Sequence, residues 1–326
     1  MSLTVNGAFA TFHKDFVNLD PERTKVARGS RDWLFDQLIG LPQKVDTFPH
    51  LYADKHIYYG SFARNTKIRE LDDIDLILAF LAQGTKYQII VPGKEYVLTP
   101  PESATHLRKL CHDDGTLNSI KVVNLLVASL DKIEHYKKSE KHRNQEAATL
   151  QLSSHEWKFD IVPAFFADID HYVIPDGKGN WKPTDPRVDQ EKVQRVNGKH
   201  GGKILQLIRT LKFWNRRGLM TTAPSYLFEN MILDYFDNQA EVHDYIDFNL
   251  RDFWGYLITG IYYDVMDPKN LQGNLNTLSH SERESISAKA ADAYARAAEA
   301  IKLEVTDGDM EASIRKWREI FGTNFI

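Results

Sequence analysis

Gly60-Ser61, the run Asp73-Ile74-Asp75 and a lone Asp160 inside Phe159-Asp160-Ile161-Val162 are the residues of this chain whose types and spacing could do chemistry. A glycine lets the backbone come close to a phosphate. A serine and free N–H groups at the following turn can hydrogen-bond its oxygens. Two carboxylates two residues apart on a strand point the same way. Such a pair can hold hard cations, which take oxygen ligands and bridge to substrate phosphates. Together these parts fit transfer of a nucleotide from a nucleoside triphosphate to a hydroxyl. Alone, Gly-Ser is an ordinary turn and Asp-x-Asp a solvated strand edge. Their conjunction, in order and in strand context, points to a metal-assisted site.

The strands that must carry these acids can be read from alternation. In 73–80 one face bears Asp73, Asp75, Ile77 and Ala79, and the other bears Ile74, Leu76, Leu78 and Phe80. The second row is unbroken and apolar, fit for burial under helices. Asp72 is out of phase and belongs to the preceding turn. In 157–162, Phe159 and Ile161 face one way while Lys158, Asp160 and Val162 face the other, and Pro163 is expected to end the ladder. If the two strands are neighbours, three acids converge. Like charges so placed raise one another's pKa, and two divalent ions about 3.5–4 Å apart relieve this in phosphoryl displacement.

Composition bounds what else the chain can be. Its 326 residues suffice for two cores. A net charge of −4 argues against stable binding of long nucleic acid, whereas a small anion needs only a few local cations. The single cysteine, Cys111, excludes an internal disulfide framework, fits a reducing cytosol and reads as a core residue. Residues 1–7 lack a basic segment with a long apolar run, so no secretion leader is expected. No stretch approaches the roughly 18 apolar residues of a membrane span. The expectation is a cytoplasmic protein with no membrane partner.

The remaining elements fall into two parts. Asp20-Pro21-Glu22 reads as a capped helix start, followed at helical spacing by Val26, Trp33, Leu34, Leu38 and Leu41. Residues 55–59 read as a strand into the Gly-Ser turn, and 88–91 and 95–98 as strands flanking Pro92-Gly93-Lys94. Residues 118–130 read as a helix over the sheet. Lys132, Lys137, Lys138, Lys141, His142 and Arg143 form the most basic stretch, read as a solvated loop or a surface for a phosphate or regulatory ligand. Residues 172–189, rich in Pro, Gly and Asp, read as a long irregular connection and hinge. Helices follow over 203–217, from Ser225, and after Ser281-Glu282-Arg283-Glu284, a capping-box spacing ahead of a stripe of Ile286, Ala290, Ala293, Ala297 and Ile301. Trp214, Trp254 and Trp317 read as core. The plan is α+β: a mixed β-sheet lobe over 1–192 with an N-terminal helix, a helical lobe over 193–326, and a cleft between them.

These residues resemble the polymerase-β-like nucleotidyltransferases, and more narrowly the bacterial cGAS/DncV-like branch, which is similar to oligoadenylate synthases. Nearly the whole chain takes part. The first lobe carries Gly60-Ser61, Asp73, Asp75 and Asp160; the second carries Leu211-Lys212-Phe213-Trp214-Asn215, Ser225-Tyr226-Leu227 and Asp267-Pro268. The Gly-Ser and Asp-x-Asp signature specifies the superfamily, and the two further segments narrow it. The resemblance implies a two-lobed fold with a palm and a helical nucleotide-binding lobe. It implies an enzyme that joins nucleoside triphosphates (ATP, and GTP, UTP or CTP) into cyclic di- or trinucleotide signals, commonly for antiphage defence. Asp73, Asp75 and Asp160 would hold two Mg²⁺ ions, for which Mn²⁺ could substitute. Gly60, Ser61, Lys212 and Ser225 would hold the donor triphosphate, and Tyr226 would stack on its base. Arg209, one turn from Lys212 and on its face, is expected to contact phosphate. A regulatory protein or ligand is a further expected partner. The residues also allow an enzyme that adds nucleotides to RNA or makes linear 2′-5′ oligomers and, in another class, a catalytically silent nucleotide- or partner-binding module.

Overall fold

The computed structural model describes residues 4–152, 154–168, 170–217 and 221–326, so Met1–Leu3 of the N-terminal reading lie outside it. Helices α1 (Val5–Phe12), α2 (Pro21–Ile39) and the short α3 (Leu41–Lys44) precede strand β1 (Ile57–Tyr59), the single-turn helix α4 (Gly60–Ala63) and β2 (Asp73–Phe80). A hairpin of β3 (Lys86–Val91) and β4 (Glu95–Thr99) follows, then the short α5 (Thr105–Arg108) and α6 (Ser119–Leu130). Strands β5 (Glu140–Asn144), β6 (Ala147–Gln151), β7 (Lys158–Ala167), β8 (His171–Pro175) and β9 (Trp181–Thr184) complete a mixed nine-stranded sheet. Helices α7 (Pro186–Lys199), α8 (Ile204–Arg216), α9 (Ser225–Asp237), α10 (Ile246–Gly260), α11 (His280–Val305) and α12 (Met310–Phe321) form the second lobe.

The sheet runs β1-β2-β7-β8-β9-β4-β3, with β6 also on β7 and β5 on β6. Strands β2 and β7 are parallel over eight residue pairs, from Asp73 opposite Lys158 to Phe80 opposite Phe165. Alternation works as read: Ile74, Leu76, Leu78 and Phe80 join Phe159 and Ile161 in one core, with Ala27, Leu34 and Leu38 of α2 and Val122, Val123 and Leu126 of α6. On the other face Ile77, Val162 and Ala164 are buried in a smaller cluster. Burial therefore closes that face beyond the acids and leaves Asp73, Asp75 and Asp160 at the open end of the strands. Asp72 precedes β2, as its phase required.

Several local readings need correction. Pro163 lies inside β7 rather than at its end, opposite Leu78 of β2. On the far edge of β7 the paired residues of β6 stop at Ile161 and those of β8 start at Phe165, so the proline falls in the gap. Residues 172–189 are not an irregular hinge. They hold the β8–β9 hairpin and the first turn of α7, and Asp176 makes the turn by accepting from the backbone N–H groups of Lys178, Gly179 and Asn180. Gly, Pro and Asp signalled a tight turn, not a long loop. Part of the basic stretch is strand β5, and its Lys141 is paired with Asp131. The capping box at α11 uses Ser279 and Glu282, two residues ahead of the spacing read from sequence. In α2, Ala27, Leu34 and Leu38 are buried while Val26 and Trp33 are exposed.

The helical lobe has its own core, containing Trp214, Trp254 and Trp317 as expected. Val5, Ala8, Phe9, Phe12 and Val17 also belong to it. Phe9 packs edge-on against Trp317 at 5.0 Å between centroids. The start of the chain thus completes the second lobe, and the expected division at 192/193 falls within α7.

Candidate active site

The site is built where β1, β2, β7 and β6 lie side by side. Tyr59 at the end of β1 pairs with Asp75, Asp75 pairs with Asp160, and Asp160 pairs with Thr149. Gly60 turns the chain at φ +75°, and a Cβ there would stand 1.9 Å from Asp75 Oδ2. Only glycine allows so close an approach in that conformation. The turn is then locked by Ser61, whose carbonyl accepts from the backbone N–H groups of Thr66 (2.9 Å) and Lys67 (3.1 Å).

Each carboxylate has a distinct setting. Asp75 is pushed up to about 7 by burial and by the negative charges of Asp73 and Asp160. Asp73 pairs with the buried Lys67, which also holds Asp72. Asp160 accepts from Thr149 Oγ1 (2.5 Å) and pairs with Lys158 Nζ (3.1 Å). Burial, with Asp75 and Glu146 next in weight, drives the Tyr59 hydroxyl well above its ordinary pKa. Tyr59, Asp75, Glu146 and Asp160 line a cleft of about 180 Å³, walled by the β5–β6 turn.

The strands place the three acids as neighbours. Their carboxylates, however, are turned to different partners, and among the described residues no group of three His, Cys, Asp or Glu side chains is gathered to hold a metal ion. The donor set still suits a hard divalent cation: three oxygen ligands on adjacent strands, with Asp75 raised in pKa by the two others.

The second lobe meets the Gly-Ser turn through one buried carboxylate. Glu229 on α9 accepts from Lys212 Nζ on α8 (2.9 Å), Arg64 Nε (2.8 Å) and Thr66 Oγ1 (2.9 Å). Against a burial penalty that would raise it, Arg64 and Lys212 hold Glu229 down to about 2. Lys212 is thus buried and ion-paired, where the sequence placed it on phosphate. Arg209 is further committed: its guanidinium donates to Asn18 Oδ1 (2.7 Å), the Asn65 carbonyl (2.8 Å) and Gln206 Oε1 (3.1 Å). It braces the Gly-Ser loop from behind.

Ser225 is exposed at the first position of α9. Asn215 fixes this segment to the end of α8 by two hydrogen bonds to Ala223, donating to its carbonyl (2.9 Å) and accepting from its N–H (3.1 Å). The Tyr226 hydroxyl donates to Asp189 (2.6 Å), with Asp267 at 3.2 Å, and Lys269 Nζ lies 4.3 Å from the ring centroid. The sequence reading missed Thr149, Lys158, Lys67, Arg64, Glu229, Asp189 and Lys269 as parts of the site. Only Lys158 left a signal, through its place two residues before Asp160 on one strand face.

Residues 111–197 match the family described as Second Messenger Oligonucleotide or Dinucleotide Synthetase domain. A Bacillus cereus (strain VD146) protein named a probable cyclic nucleotide synthase is 46% identical over 331 residues, covering 100% of this chain and 98% of its own length. The chain belongs to the bacterial cGAS/DncV-like nucleotidyltransferases. Solved structures carry the same fold at low identity. Escherichia coli MS115-1 CdnC with ATP matches with a TM-score of 0.72, 18% identity and 99% of each chain covered. The Vibrio cholerae DncV cyclic AMP-GMP synthase, in complex with the linear intermediate 5′ pppA(3′,5′)pG, matches with a TM-score of 0.58 and 15% identity over 83% of this chain and 69% of that one. CdnC has also been solved in a complex with HORMA-deltaN, and that chain matches with a TM-score of 0.71, 18% identity and 98% of each chain covered. The α+β, two-lobed reading of this nucleotidyltransferase stands. No described helix is long and apolar enough to cross a membrane.

Proposed function

We propose that this nucleotidyltransferase joins nucleoside triphosphates into a cyclic di- or trinucleotide that acts as a second messenger in antiphage defence, and that it does so in the cytoplasm. One observation carries the catalytic part of this reading: Asp75 and Asp160 are direct neighbours on parallel strands, two residues from Asp73 and against the Gly60 turn. The relative named a probable cyclic nucleotide synthase supports the product class.

The residues divide the work. Gly60 admits the donor phosphates to the backbone, where Ser61 and the first N–H groups of α4 can hydrogen-bond their oxygens. Asp73, Asp75 and Asp160 would hold two divalent ions, Mg²⁺ or Mn²⁺, whose bound chemistry is to make the acceptor hydroxyl more acidic and to neutralise charge on pyrophosphate. The ribose hydroxyl oxygen bonds to the α-phosphorus, the bond to the β-phosphate oxygen breaks, and pyrophosphate leaves. Asp160, whose carboxylate accepts from Thr149, would take the hydroxyl proton. Ser225 and Lys212 reach the triphosphate from the second lobe, and Tyr226 offers a face for base stacking, which tolerates any base. Ring closure repeats the same step on the linear product after it turns over in the site. Positioning and fixed charges account for most of the acceleration.

The test is incubation with each α-labelled triphosphate, singly and in pairs, with Mg²⁺ or Mn²⁺, then phosphatase treatment and chromatography. A labelled product whose mobility phosphatase leaves unchanged is expected. A labelled product that phosphatase shifts, because it carries the 5′ triphosphate a ring lacks, would identify linear chemistry instead, and failure to consume any triphosphate would remove the enzyme reading.

A further inference from the structure

We infer that Gly93, at the tip of the β3–β4 hairpin, is a positioning residue for the nucleotide base: it holds the loop after α10 whose Asp267 and Lys269 orient Tyr226. The inference rests on the reading above in which Tyr226 stacks on that base. The hairpin is anchored where β4 enters the sheet. Tyr96 and Leu98 of β4 are buried in the core of the sheet lobe, Tyr96 pairs with Trp181 of β9, and the Tyr87 and Tyr96 rings stack at 5.4 Å. Ile89, Ile90 and Val91 of β3 are exposed, so this strand stands out from the lobe. Its tip, Pro92-Gly93-Lys94, reaches the second lobe. Gly93 has φ +69°, and a Cβ there would stand 1.6 Å from the carbonyl oxygen of Leu271 and 2.8 Å from its carbon. Both are backbone atoms, so no side chain can swing aside to make room.

Leu271 belongs to a loop that the buried Asp267 organises. Asp267 Oδ2 accepts from the N–H groups of Leu271 (3.1 Å) and Gln272 (3.0 Å). Its Oδ1 accepts from the Tyr226 hydroxyl (3.2 Å) and pairs with Lys269 Nζ (3.0 Å). That ammonium also donates to the Tyr226 hydroxyl and lies 4.3 Å from the ring centroid. The Leu271 carbonyl and the Gln272 N–H belong to one planar peptide unit. Gly93 therefore meets one end of this unit, and the other end grips the carboxylate that holds Tyr226. The loop has little slack to absorb a push. It is closed by the Asp267 N–H on the Gly273 carbonyl (2.8 Å) and the Leu275 N–H on the Val265 carbonyl (2.7 Å). A displacement at Leu271 passes to Asp267 and Lys269, and from them to the ring. The sheet lobe thereby sets the angle at which the helical lobe presents its tyrosine.

The test compares wild type, Gly93→Ala, Tyr226→Ala, the double variant of these two, and Gly84→Ala. Gly84, at the other end of β3, has φ +83° and would bring a Cβ only to an ordinary 3.6 Å from the Pro101 side chain. It carries the same backbone strain without the push. Calorimetry with Mg²⁺ reads binding of the α,β-methylene analogues of ATP, GTP, UTP and CTP, and of tripolyphosphate, which has no base. Gly93→Ala is expected to weaken the best-bound analogue about three- to tenfold, part of the loss in Tyr226→Ala, and to leave tripolyphosphate within about twofold. Gly84→Ala should stay within about twofold for both. The double variant should be no weaker than Tyr226→Ala, because Gly93 acts through that ring. Should Gly93→Ala fail to fold, Gly93→Asn carries the test, since asparagine tolerates positive φ and still brings the Cβ. Gly93→Ala behaving as Gly84→Ala, equal loss for tripolyphosphate, or additive loss in the double variant would overturn the inference and leave the stacking reading intact. Unchanged analogue binding in Tyr226→Ala would overturn both, and wild type that binds none of the analogues would overturn the nucleotidyltransferase reading with them.

Discussion

Asp75 and Asp160 face each other across the parallel strands β2 and β7, and the eight-pair register that sets them opposite is fixed by the apolar row on the reverse face. A slip of one residue would turn every side chain of one strand over, sending its aspartate into the core and apolar groups into the cleft. The carboxylate pair and the hydrophobic core are therefore specified by the same alternation.

Asp75→Asn tests that pair directly. The amide keeps the shape of the side chain and removes a charge that its neighbours already disfavour, since burial, Asp73 and Asp160 raise this carboxyl to about 7. Synthesis of labelled product should fall by about three orders of magnitude or more, the scale of losing a group that organises transition-state charge. Thermal unfolding should be unchanged or shifted upward. Retained turnover with a native circular dichroism spectrum would remove Asp75 from the machinery, and Asp73→Asn should behave alike.

Gly60→Ala should damage fold and activity together. Its Cβ meets Asp75 Oδ2 at 1.9 Å, and φ +75° is unfavourable for any L side chain. A loss of about 1–3 kcal/mol is expected in chemical denaturation, with synthesis falling more steeply because Asp75 must move. Gly29→Ala is the matched control: in α2 nothing lies within 4 Å of the added Cβ, so stability should rise by about 0.5–1 kcal/mol. Equal effects at the two positions would refute the close-approach argument.

The legibility of this site in the sequence follows how local each signal is. Asp73, Asp75 and Asp160 were readable because a strand's two-residue period turns spacing into direction. The helix beginning at 118, the start of α9 after Pro224 and the β3–β4 hairpin were readable for similar reasons of short-range chemistry. Glu229 was not, because its meaning comes from Arg64 and Thr66, which lie 165 and 163 residues away in the chain. Val5, Phe9 and Phe12 gave no sign that they complete the opposite lobe, since helix periodicity names a buried face without naming its partner. The 172–189 segment was misread because turn residues at 175–180 mark a hairpin only when both flanking strands are seen, and these are five and four residues long.

Tyr226 separates two contributions of one side chain. Tyr226→Phe keeps the ring and removes the hydroxyl that donates to Asp189 and receives Lys269. Loss of a buried hydrogen bond in a charged network should cost about 1–3 kcal/mol of stability, with KM for triphosphate rising only a few-fold. Tyr226→Ala also removes the ring proposed to stack on the base, a contact worth about 1–3 kcal/mol, so under that proposal KM should rise a further tenfold or more. If both variants raise KM equally, the ring does not stack on the substrate.

Glu229 also makes a prediction about acid stability. Arg64 and Lys212 overcome its burial and hold it at about 2, below the ordinary value of 4.5. Between those values the unfolded chain binds a proton that the folded protein does not, so stability rises with pH across that window. The contribution is fully present above pH 4.5 and is lost as pH falls through 2. Its size is about 3 kcal/mol, from the difference between the two values. Glu229→Gln cannot titrate there. Urea denaturation of wild type and Glu229→Gln at pH 3, 4, 5 and 6 should show the wild-type advantage growing from pH 3 to pH 5 and then levelling. An advantage that stays constant over this range would mean that Glu229 is not ionised between its two cations.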